Sequence, residues 1–426
     1  MGNGGAQAYV LQAEKRLTLD ERVAADVKGG QLPVPVTGLI PTVDWLREFT
    51  PPQLLDPDVV KRVGIGISPE EVARWGLRTG DLVKFGADRK VIEVSGITDD
   101  LRSRTRPRIE GVGGVFGDYA DKMVPVDEHG ILSIRMATLL APIGYGQRLG
   151  ILSPPNGGKT WLLRDLLQAL LLVSKSDSRM RILVVQVGER AEDGTNYDTV
   201  INSVDHNPDQ VELYVTPDGD PEFAHYYVVK FVTQRARELT ALGYNVFLLV
   251  DSFSRVLMSH SRAEEIVKPP NVGMISGGIS TASVTAVKKL LSIAGNFPFG
   301  SLTVVATMLT GQGSSEAALA MEVGPSVLTT HWELLNHPMS VKPTFNVATC
   351  GTREITRLLA AVPGFAGERE LVKKLMWPKG RQPEEEDSEP EGDDKEKPKR
   401  RKRNDSAAQA LEILRTYADN NKRPKR

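Results

Sequence analysis

The chain has 426 residues, so roughly two or three structural units are expected, and its 40% apolar and 25% charged residues are ordinary for a globular protein. The single cysteine, Cys350, excludes an internal disulfide, and no apolar run reaches the length of about 18 residues that a membrane span needs. With a formal net charge of −1 and no signal-peptide pattern in residues 1–6, the sequence predicts a cytoplasmic protein and favours no class of charged partner.

The first third of the chain is predicted to hold an N-terminal arm and a small β-rich module. Residues 1–33 are polar and carry at most one short helix. From 34 to 126, short apolar runs broken by Gly, Pro and Asp, such as residues 81–85, are typical of short strands. Within this module, residues 68–75 predict a capped helix with proline at its first position.

Residues 127–380 alternate between apolar β-branched runs and helical periodicity. Buried strands without alternation, separated by helices, predict an α/β domain with a mostly parallel sheet covered on both faces. The predicted strands lie at 182–187, 211–215, 246–250 and 302–306, and the predicted helices at 162–172, 223–242 and 284–294.

The last segment, residues 381–426, is a charged tail. An acidic block at 384–394 precedes a basic block at 395–403, and this composition predicts disorder. A short amphipathic helix capped by Ser406 follows. Two interpretations of the basic residues stay open: they hold nucleic acid by charge, or they form a solvated tail neutralised by the acidic block.

A phosphate-binding loop begins the larger domain. Residues 153–160 (SPPNGGKT) match the pattern G-x-x-x-x-G-K-[ST], except that Ser153 replaces the first glycine. An apolar run precedes the loop and a helical run follows it, so backbone N–H groups and the helix N-terminus face the phosphates. We therefore predict that ATP is bound by Arg148, Pro155, Asn156, Gly157, Gly158, Lys159, Thr160 and Trp161.

Two carboxylates at the ends of buried strands complete the predicted site. Asp251 ends one strand and, with Thr160, is a predicted Mg²⁺ ligand; a turn-capping aspartate is the alternative. Glu189 follows another strand, where a carboxylate activates the attacking water, and a surface glutamate in a charged loop is the alternative. The predicted catalytic residues are Glu189, Lys159 and Arg190.

Several segments together resemble the family of bacterial transcription termination factor Rho. Residues 142–148 (PIGYGQR) are similar to that family's P-I-G-x-G-Q-R, and 153–160 resemble its A-P-P-x-x-G-K-T. Residues 251–255 (DSFSR) resemble its D-S-[I/L]-T-R, and residues 68–81 its S-P-x-x-I-x-x-x-x-L-R-T-G-D. The likeness covers roughly residues 64–376, so the chain is identified as a diverged relative of this family.

The resemblance implies a RecA-type ATPase core, preceded by a partly degenerate OB- or cold-shock-like module. It implies that Glu189 is the catalytic glutamate and that ATP and Mg²⁺ lie at the interfaces of a homohexamer. It further implies single-stranded RNA in the pore, a helicase activity in transcription termination, and RNA polymerase as a further partner. The implied RNA contacts, in two pore loops, are Ser276, Gly277, Gly278, Gln312, Ser314 and Ser315.

The sequence departs from the family where the arginine finger is expected. Thr349 stands at that position, and the family's second arginine falls near Asn336. Lys342 and Arg353 are the nearby cations that remain as substitutes. Because losing an arginine finger costs roughly 10³ to 10⁵ in rate, slow hydrolysis is one expectation.

The RNA-binding segments depart as well. Residues 272–278 and 311–316 contain no lysine, which weakens the electrostatic hold on RNA. The small module lacks the family's aromatic-rich segment, and Trp45, Phe49 and Trp75 are more typical of core than of base stacking. Three functions therefore stay open: an RNA-dependent ATPase, a paralogue that binds ATP and assembles as a regulator or scaffold, and a motor on protein or DNA.

Overall fold

The computed structural model describes residues 7–10, 36–39, 64–66, 69–78, 80–86, 90–98, 106–109, 117–189, 191–219, 222–267, 274–275, 279–311, 320, 324, 326–336 and 343–376. Its strands are β1 (Gln7–Val10), β2 (Val36–Leu39), β3 (Gly64–Gly66), β4 (Leu82–Phe85), β5 (Val91–Val94), β6 (Arg148–Ser153), β7 (Met180–Glu189), β8 (Val211–Pro217), β9 (Asn245–Asp251), β10 (Met274–Ile275), β11 (Ile279–Ser280), β12 (Gly295–Asn296), β13 (Ser301–Leu309), β14 (Thr330–Leu335), β15 (Thr344–Phe345) and β16 (Gly351–Thr352). Its helices are α1 (Pro69–Trp75), α2 (Leu132–Leu140), α3 (Lys159–Ser174), α4 (Ala191–Ser203), α5 (Glu222–Ala241), α6 (Phe253–Val267), α7 (Thr281–Ser292), α8 (Ile355–Leu359) and α9 (Pro363–Met376).

The small module is a five-stranded antiparallel sheet in the order β3-β2-β1-β4-β5. Its central strand β1 comes from the segment that the sequence assigns to the N-terminal arm, and β1 pairs with both β2 and β4. The helix predicted in residues 68–75 is confirmed as α1. Trp75 is buried with Val83, Phe85 and Val94, which supports core over stacking, whereas Trp45 and Phe49 lie outside the described residues.

An ionic cluster joins this module to helix α5 of the larger domain. The Arg106 guanidinium donates to Asp81 at 2.6 Å and to Glu238 at 2.7 Å, and these side chains are at most 6% exposed. Burial raises the pKa of the Glu238 carboxyl, although the Arg106 charge opposes that rise. Arg78 adds a longer contact with Glu238, at 3.4 Å, but Arg106 is the cation that pairs with both buried carboxylates, so the cluster depends mainly on it.

We expect Arg106→Leu to lower the free energy of unfolding by roughly 3–5 kcal/mol, because it removes the cation of buried Asp81 and leaves Glu238 only the longer contact with Arg78 at 3.4 Å. Chemical denaturation at pH 7 measures this change. The matched control is Arg74→Leu, whose pair with Glu71 lies at the surface and whose loss costs about 1 kcal/mol or less. Equal losses in both variants would contradict a special role for the buried cluster.

The larger domain is built on a sheet with the strand order β15-β14-β6-β13-β9-β7-β8. The strands from β14 to β8 are all parallel, and β12, β15 and β16 add antiparallel pairs. Every strand and helix predicted for 127–380 is present, so the α/β prediction is confirmed. The four strands and the first helix are somewhat longer than predicted, whereas α5 and α7 begin one and three residues earlier and end one and two residues earlier than predicted. Strands β9 and β13 are buried along almost their whole length, which places the domain core at the sheet centre.

The remaining predictions concern the two ends of the chain, the domain boundaries and membrane-spanning segments. The described residues up to 361 form one compact unit, and a second unit begins at residue 362, of which helix α9 is described. The predicted tail of 381–426, with its short helix, lies outside the described residues, as does any helix in the N-terminal arm. The exact domain boundaries stay predictions. In the described part of the chain, no helix has the length and apolarity needed to cross a membrane.

Candidate functional site

The segment before the phosphate-binding loop holds β6 between its two neighbours in the sheet. Gly146 has φ of +89°, and its N–H donates to the Thr303 hydroxyl of β13 at 2.9 Å. A Cβ at Gly146 would lie 2.4 Å from the backbone nitrogen of Asn296, so glycine is required there. The Gln147 amide oxygen accepts from the Thr330 hydroxyl of β14 at 2.8 Å. The strand that leads into the loop is therefore fixed on both sides.

The loop connects β6 to helix α3 and is shaped by small residues. Gly158 has φ of +100° at the N-terminus of α3, and Asn156 has φ of +60°. A Cβ at Gly157 would lie 2.3 Å from the Ser153 Oγ and 3.1 Å from the Pro154 carbonyl oxygen, so a larger residue would require the Ser153 side chain to move. The hydroxyl of Ser153, which stands in place of the usual glycine, donates to the carbonyl of Pro154 at 2.8 Å. The loop thus presents backbone N–H groups at a helix N-terminus, which is an anion-binding arrangement.

Asp251 is the centre of the site. It ends β9, is 1% exposed, and receives hydrogen bonds from the hydroxyls of Thr160 at 2.9 Å, Tyr197 at 2.9 Å and Thr307 at 2.6 Å. The Lys159 ammonium lies 3.6 Å from its Oδ1. The helix after the loop, two central strands and α4 therefore meet at one carboxylate.

The surroundings of Asp251 keep it ionised. Burial alone raises the pKa of this carboxyl, but the Lys159 charge and the three hydroxyl donors outweigh it and hold the pKa below its ordinary value. A buried carboxylate that stays charged is suited to hold a cation. These contacts favour the metal role of Asp251 over a turn-capping role, and the metal role stays a prediction.

The residues at this position fit a magnesium ion bound to nucleotide. Thr160 and Asp251 offer a hydroxyl and a carboxylate within 2.9 Å of each other, and oxygen ligands of this kind are those that Mg²⁺ prefers. When bound, Mg²⁺ neutralises charge on the β- and γ-phosphate oxygens of ATP. Lys159 begins α3 beside these groups, and its contact with the same oxygens stays a prediction. The structure therefore brings together Lys159, Thr160 and Asp251, as the sequence predicts.

Glu189 is the last residue of β7, the strand beside β9. Its backbone thus lies at the same edge of the sheet as Asp251, but its side chain is not among those described, and Arg190 lies outside the described residues. The catalytic roles of both stay predictions.

The other predicted ATP contacts do not all lie beside Asp251. Pro155 and Asn156 are exposed in the loop, and Trp161, 64% exposed, lies on the first turn of α3. Arg148 begins β6, about five strand steps of roughly 3.3 Å from the loop, so the structure places it away from Lys159 and Thr160, and its ATP contact stays a prediction. The six predicted RNA contacts lie outside the described residues: Ser276, Gly277, Gly278, Gln312, Ser314 and Ser315.

The positions linked to the family's arginines lie on the other flank of the loop, at β14 and β16. The Asn336 amide donates to the Pro155 carbonyl at 3.1 Å, so this position touches the loop itself. Thr349 donates to the Asn346 carbonyl, and a cavity of ≈ 620 Å³ is lined in part by Thr349 and Arg353. Arg353 has an exposed side chain, and its backbone N–H donates to the Thr329 carbonyl at 2.7 Å.

Tyr197 and Thr307 are functional candidates that the sequence does not single out. Thr307 interrupts the apolar run of β13 and is the stronger signal of the two, because a hydroxyl in a buried strand needs a partner. Tyr197 lies on α4 with no flanking motif, and only the fold brings its hydroxyl to Asp251.

Comparisons with known proteins agree with this geometry. The model of the ATP synthase alpha/beta family, nucleotide-binding domain, matches residues 133–347. Transcription termination factor Rho of Aquifex aeolicus is 28% identical over 308 residues, which is 69% of this chain and 67% of the relative. The protein of the same name from Streptomyces coelicolor is 30% identical over 341 residues, 72% of this chain and 75% of the relative.

Solved structures add evidence on the fold. An ATPase from the type III secretion system of pathogenic bacteria matches with a TM-score of 0.51 at 21% identity, covering 62% of this chain and 70% of that chain. The assembled ATPase EscN from enteropathogenic E. coli matches with a TM-score of 0.50 at 20% identity, covering 64% and 60%. The larger domain therefore has the RecA-type ATPase fold.

Proposed function

The chain belongs to the family of transcription termination factor Rho, and from that premise we propose that it is an RNA-dependent ATPase. In this proposal a homohexameric ring translocates along single-stranded RNA and acts in transcription termination, with RNA polymerase as a further partner and the cytoplasm as its location. One observation carries the ATPase part: Lys159 and Thr160 of the phosphate loop both contact the buried, ionised Asp251. A Rho-type ATPase site needs these groups together.

In this proposal each residue of the site has a separate role in ATP hydrolysis. Lys159 places its ammonium on the β- and γ-phosphate oxygens, and Thr160 with Asp251 holds Mg²⁺. Glu189, at the carboxyl end of β7, polarises the attacking water. Tyr197 and Thr307 fix the Asp251 carboxylate by hydrogen bonds, so that it does not have to reorganise when the cation binds.

We propose that the arginine that acts on the transferred phosphoryl group comes from a neighbouring subunit. In a ring with head-to-tail interfaces, each interface joins two different surfaces of the same fold. The carboxylates of the site lie toward β9 and β7, whereas Arg353 lies beyond β6 on the β14–β16 flank. Arg353 is therefore suited to act on the next subunit's nucleotide, and its planar fork matches phosphate in a way that a lysine cannot.

RNA would be held in the pore mainly by backbone N–H groups and by hydroxyl and amide side chains. Residues 272–278 and 311–316 supply serine, glycine and glutamine but no lysine. Such groups contact phosphate oxygens without adding charge. We therefore propose a weaker and less salt-dependent hold on RNA than a lysine-lined pore provides.

Steady-state ATP hydrolysis with and without single-stranded RNA tests the proposal. We expect RNA to stimulate turnover in the wild type, and Lys159→Ala to be inactive with and without RNA. The matched control is Lys175→Ala, which removes an exposed lysine just after the other end of α3 and should leave turnover unchanged. A wild type that binds ATP but stays at the level of Lys159→Ala with every RNA would contradict the motor function.

A second candidate function is a non-motor member of the same family that binds ATP, assembles, and acts as a regulator or scaffold. It is favoured by Thr349, which offers no guanidinium, and by the lysine-free pore segments. A third possibility is that the ring acts on DNA or polypeptide. Stimulation of hydrolysis by DNA or by unfolded polypeptide, but not by RNA, would support that alternative.

A further inference from the structure

Gln186 is a buried polar residue with no structural explanation. It lies in β7, is 0% exposed, and neither its amide oxygen nor its amide nitrogen has a hydrogen-bond partner among the described residues. The flanking Val185 and Val187 are also fully buried, so an apolar side chain would be the expected occupant. A buried amide without partners lowers stability, and its presence therefore calls for a functional reason.

The register of the sheet places Gln186 beside the metal-binding carboxylate. Gln186 pairs with Asp251 of the neighbouring parallel strand β9, and residues in register on parallel strands face the same side of the sheet. Thr307 of β13 lies on that same side, because its hydroxyl reaches Asp251 at 2.6 Å. Gln186, Asp251 and Thr307 thus form one row across three adjacent strands, and Glu189 follows Gln186 along β7.

We infer that Gln186 is a positioning residue whose carboxamide hydrogen-bonds a water molecule of the magnesium shell held by Thr160 and Asp251. Mg²⁺ keeps several of its waters when a protein and phosphates bind it, and those waters need acceptors and donors. A carboxamide offers both at one position. This inference rests on the proposed function, because it assumes that the site binds magnesium and nucleotide.

The test is Gln186→Leu, which keeps a similar side-chain volume and removes the amide. We expect the Mg²⁺ concentration for half-maximal binding of a fluorescent ADP analogue to rise roughly 10- to 100-fold, the usual effect of losing such a supporting contact. The thermal midpoint of the protein without nucleotide should stay equal or rise, because an unpartnered buried amide is gone.

Gln210→Leu is the matched control. Gln210 is also buried, but its amide nitrogen donates to the carbonyl groups of Asp177 at 2.9 Å and Ser174 at 3.3 Å, away from Asp251. This variant should lower the thermal midpoint and leave the Mg²⁺ dependence unchanged. The two glutamines are therefore expected to give opposite results in the two assays.

Unchanged Mg²⁺ dependence in Gln186→Leu would overturn the inference, whatever its stability. A lower thermal midpoint together with unchanged Mg²⁺ dependence would also overturn it and assign Gln186 to the fold. The binding assay needs no RNA and no turnover. The two hypotheses can therefore fail separately. If the wild type binds Mg²⁺ and nucleotide but RNA does not stimulate hydrolysis, the proposed motor function is contradicted. The comparison of Gln186→Leu with the wild type would still test the role of Gln186.

Discussion

Asp251→Asn is expected to lower the rate of ATP hydrolysis by roughly 10³-fold, because a magnesium-holding carboxylate supplies several kcal/mol of transition-state stabilisation. Asparagine keeps the shape of the side chain but lacks the charge that Lys159 and the cation need. The single-turnover rate at saturating Mg²⁺ measures the loss directly. Asp118→Asn, which changes a carboxylate paired with Arg357 at the surface, is the control and should retain the wild-type rate.

We also expect the effect of Asp251→Asn on the free energy of unfolding to depend on pH. The folded state holds the pKa of Asp251 below its ordinary value, so the ionised form stabilises the fold above the pKa of the unfolded chain. That contribution is lost as pH falls through the lower, folded-state pKa. The free energy of unfolding should therefore differ between wild type and Asp251→Asn at pH 7, and the difference should shrink on acidification. A difference that grows toward low pH would contradict the ionised state of Asp251.

The sequence is sufficient to predict those parts of the fold and site that depend on local pattern. The central strands are continuous β-branched runs, as in residues 246–250, and only a buried parallel strand suits them. The loop at 153–160 carries its glycines and lysine at fixed spacing. The proposed role of Asp251 as a metal ligand is predicted from its position at the end of a buried strand. The sequence does not predict strand β14, because its side chains alternate between buried and partly exposed and include Glu333.

Contacts that join distant parts of the chain could not be read from local pattern. Strand β1 is a four-residue segment whose pairing with β2 and β4 exists only in the folded module. The hydroxyl of Tyr197 reaches Asp251 because α4 packs over the sheet edge, and no motif marks it. Arg148 shows the converse: it is close to the loop in sequence, but an extended strand carries it to the far end. Residues a few positions apart in an extended strand lie far apart in space, because each residue advances the chain by roughly 3.3 Å.

The second large effect concerns Arg353. We expect Arg353→Ala to lower RNA-stimulated hydrolysis by roughly 10³- to 10⁵-fold, the range measured for removal of an arginine that acts on a transferred phosphoryl group. Nucleotide affinity should change much less, because the guanidinium stabilises charge that develops in the transition state. The matched control is Arg357→Ala, which removes an exposed arginine of neighbouring α8 that pairs with Asp118.

A mixing experiment separates action in the neighbouring subunit from action within the same one. Lys159→Ala subunits lack a working loop but keep Arg353, whereas Arg353→Ala subunits keep the loop. In mixed rings, an interface that pairs the loop of an Arg353→Ala subunit with the arginine of a Lys159→Ala subunit is complete. Hydrolysis should therefore reappear when two inactive variants are mixed. If exchange of subunits is verified and no activity returns, Arg353 does not act across the interface; if Arg353→Ala alone keeps the wild-type rate, the chain works without an arginine at this position.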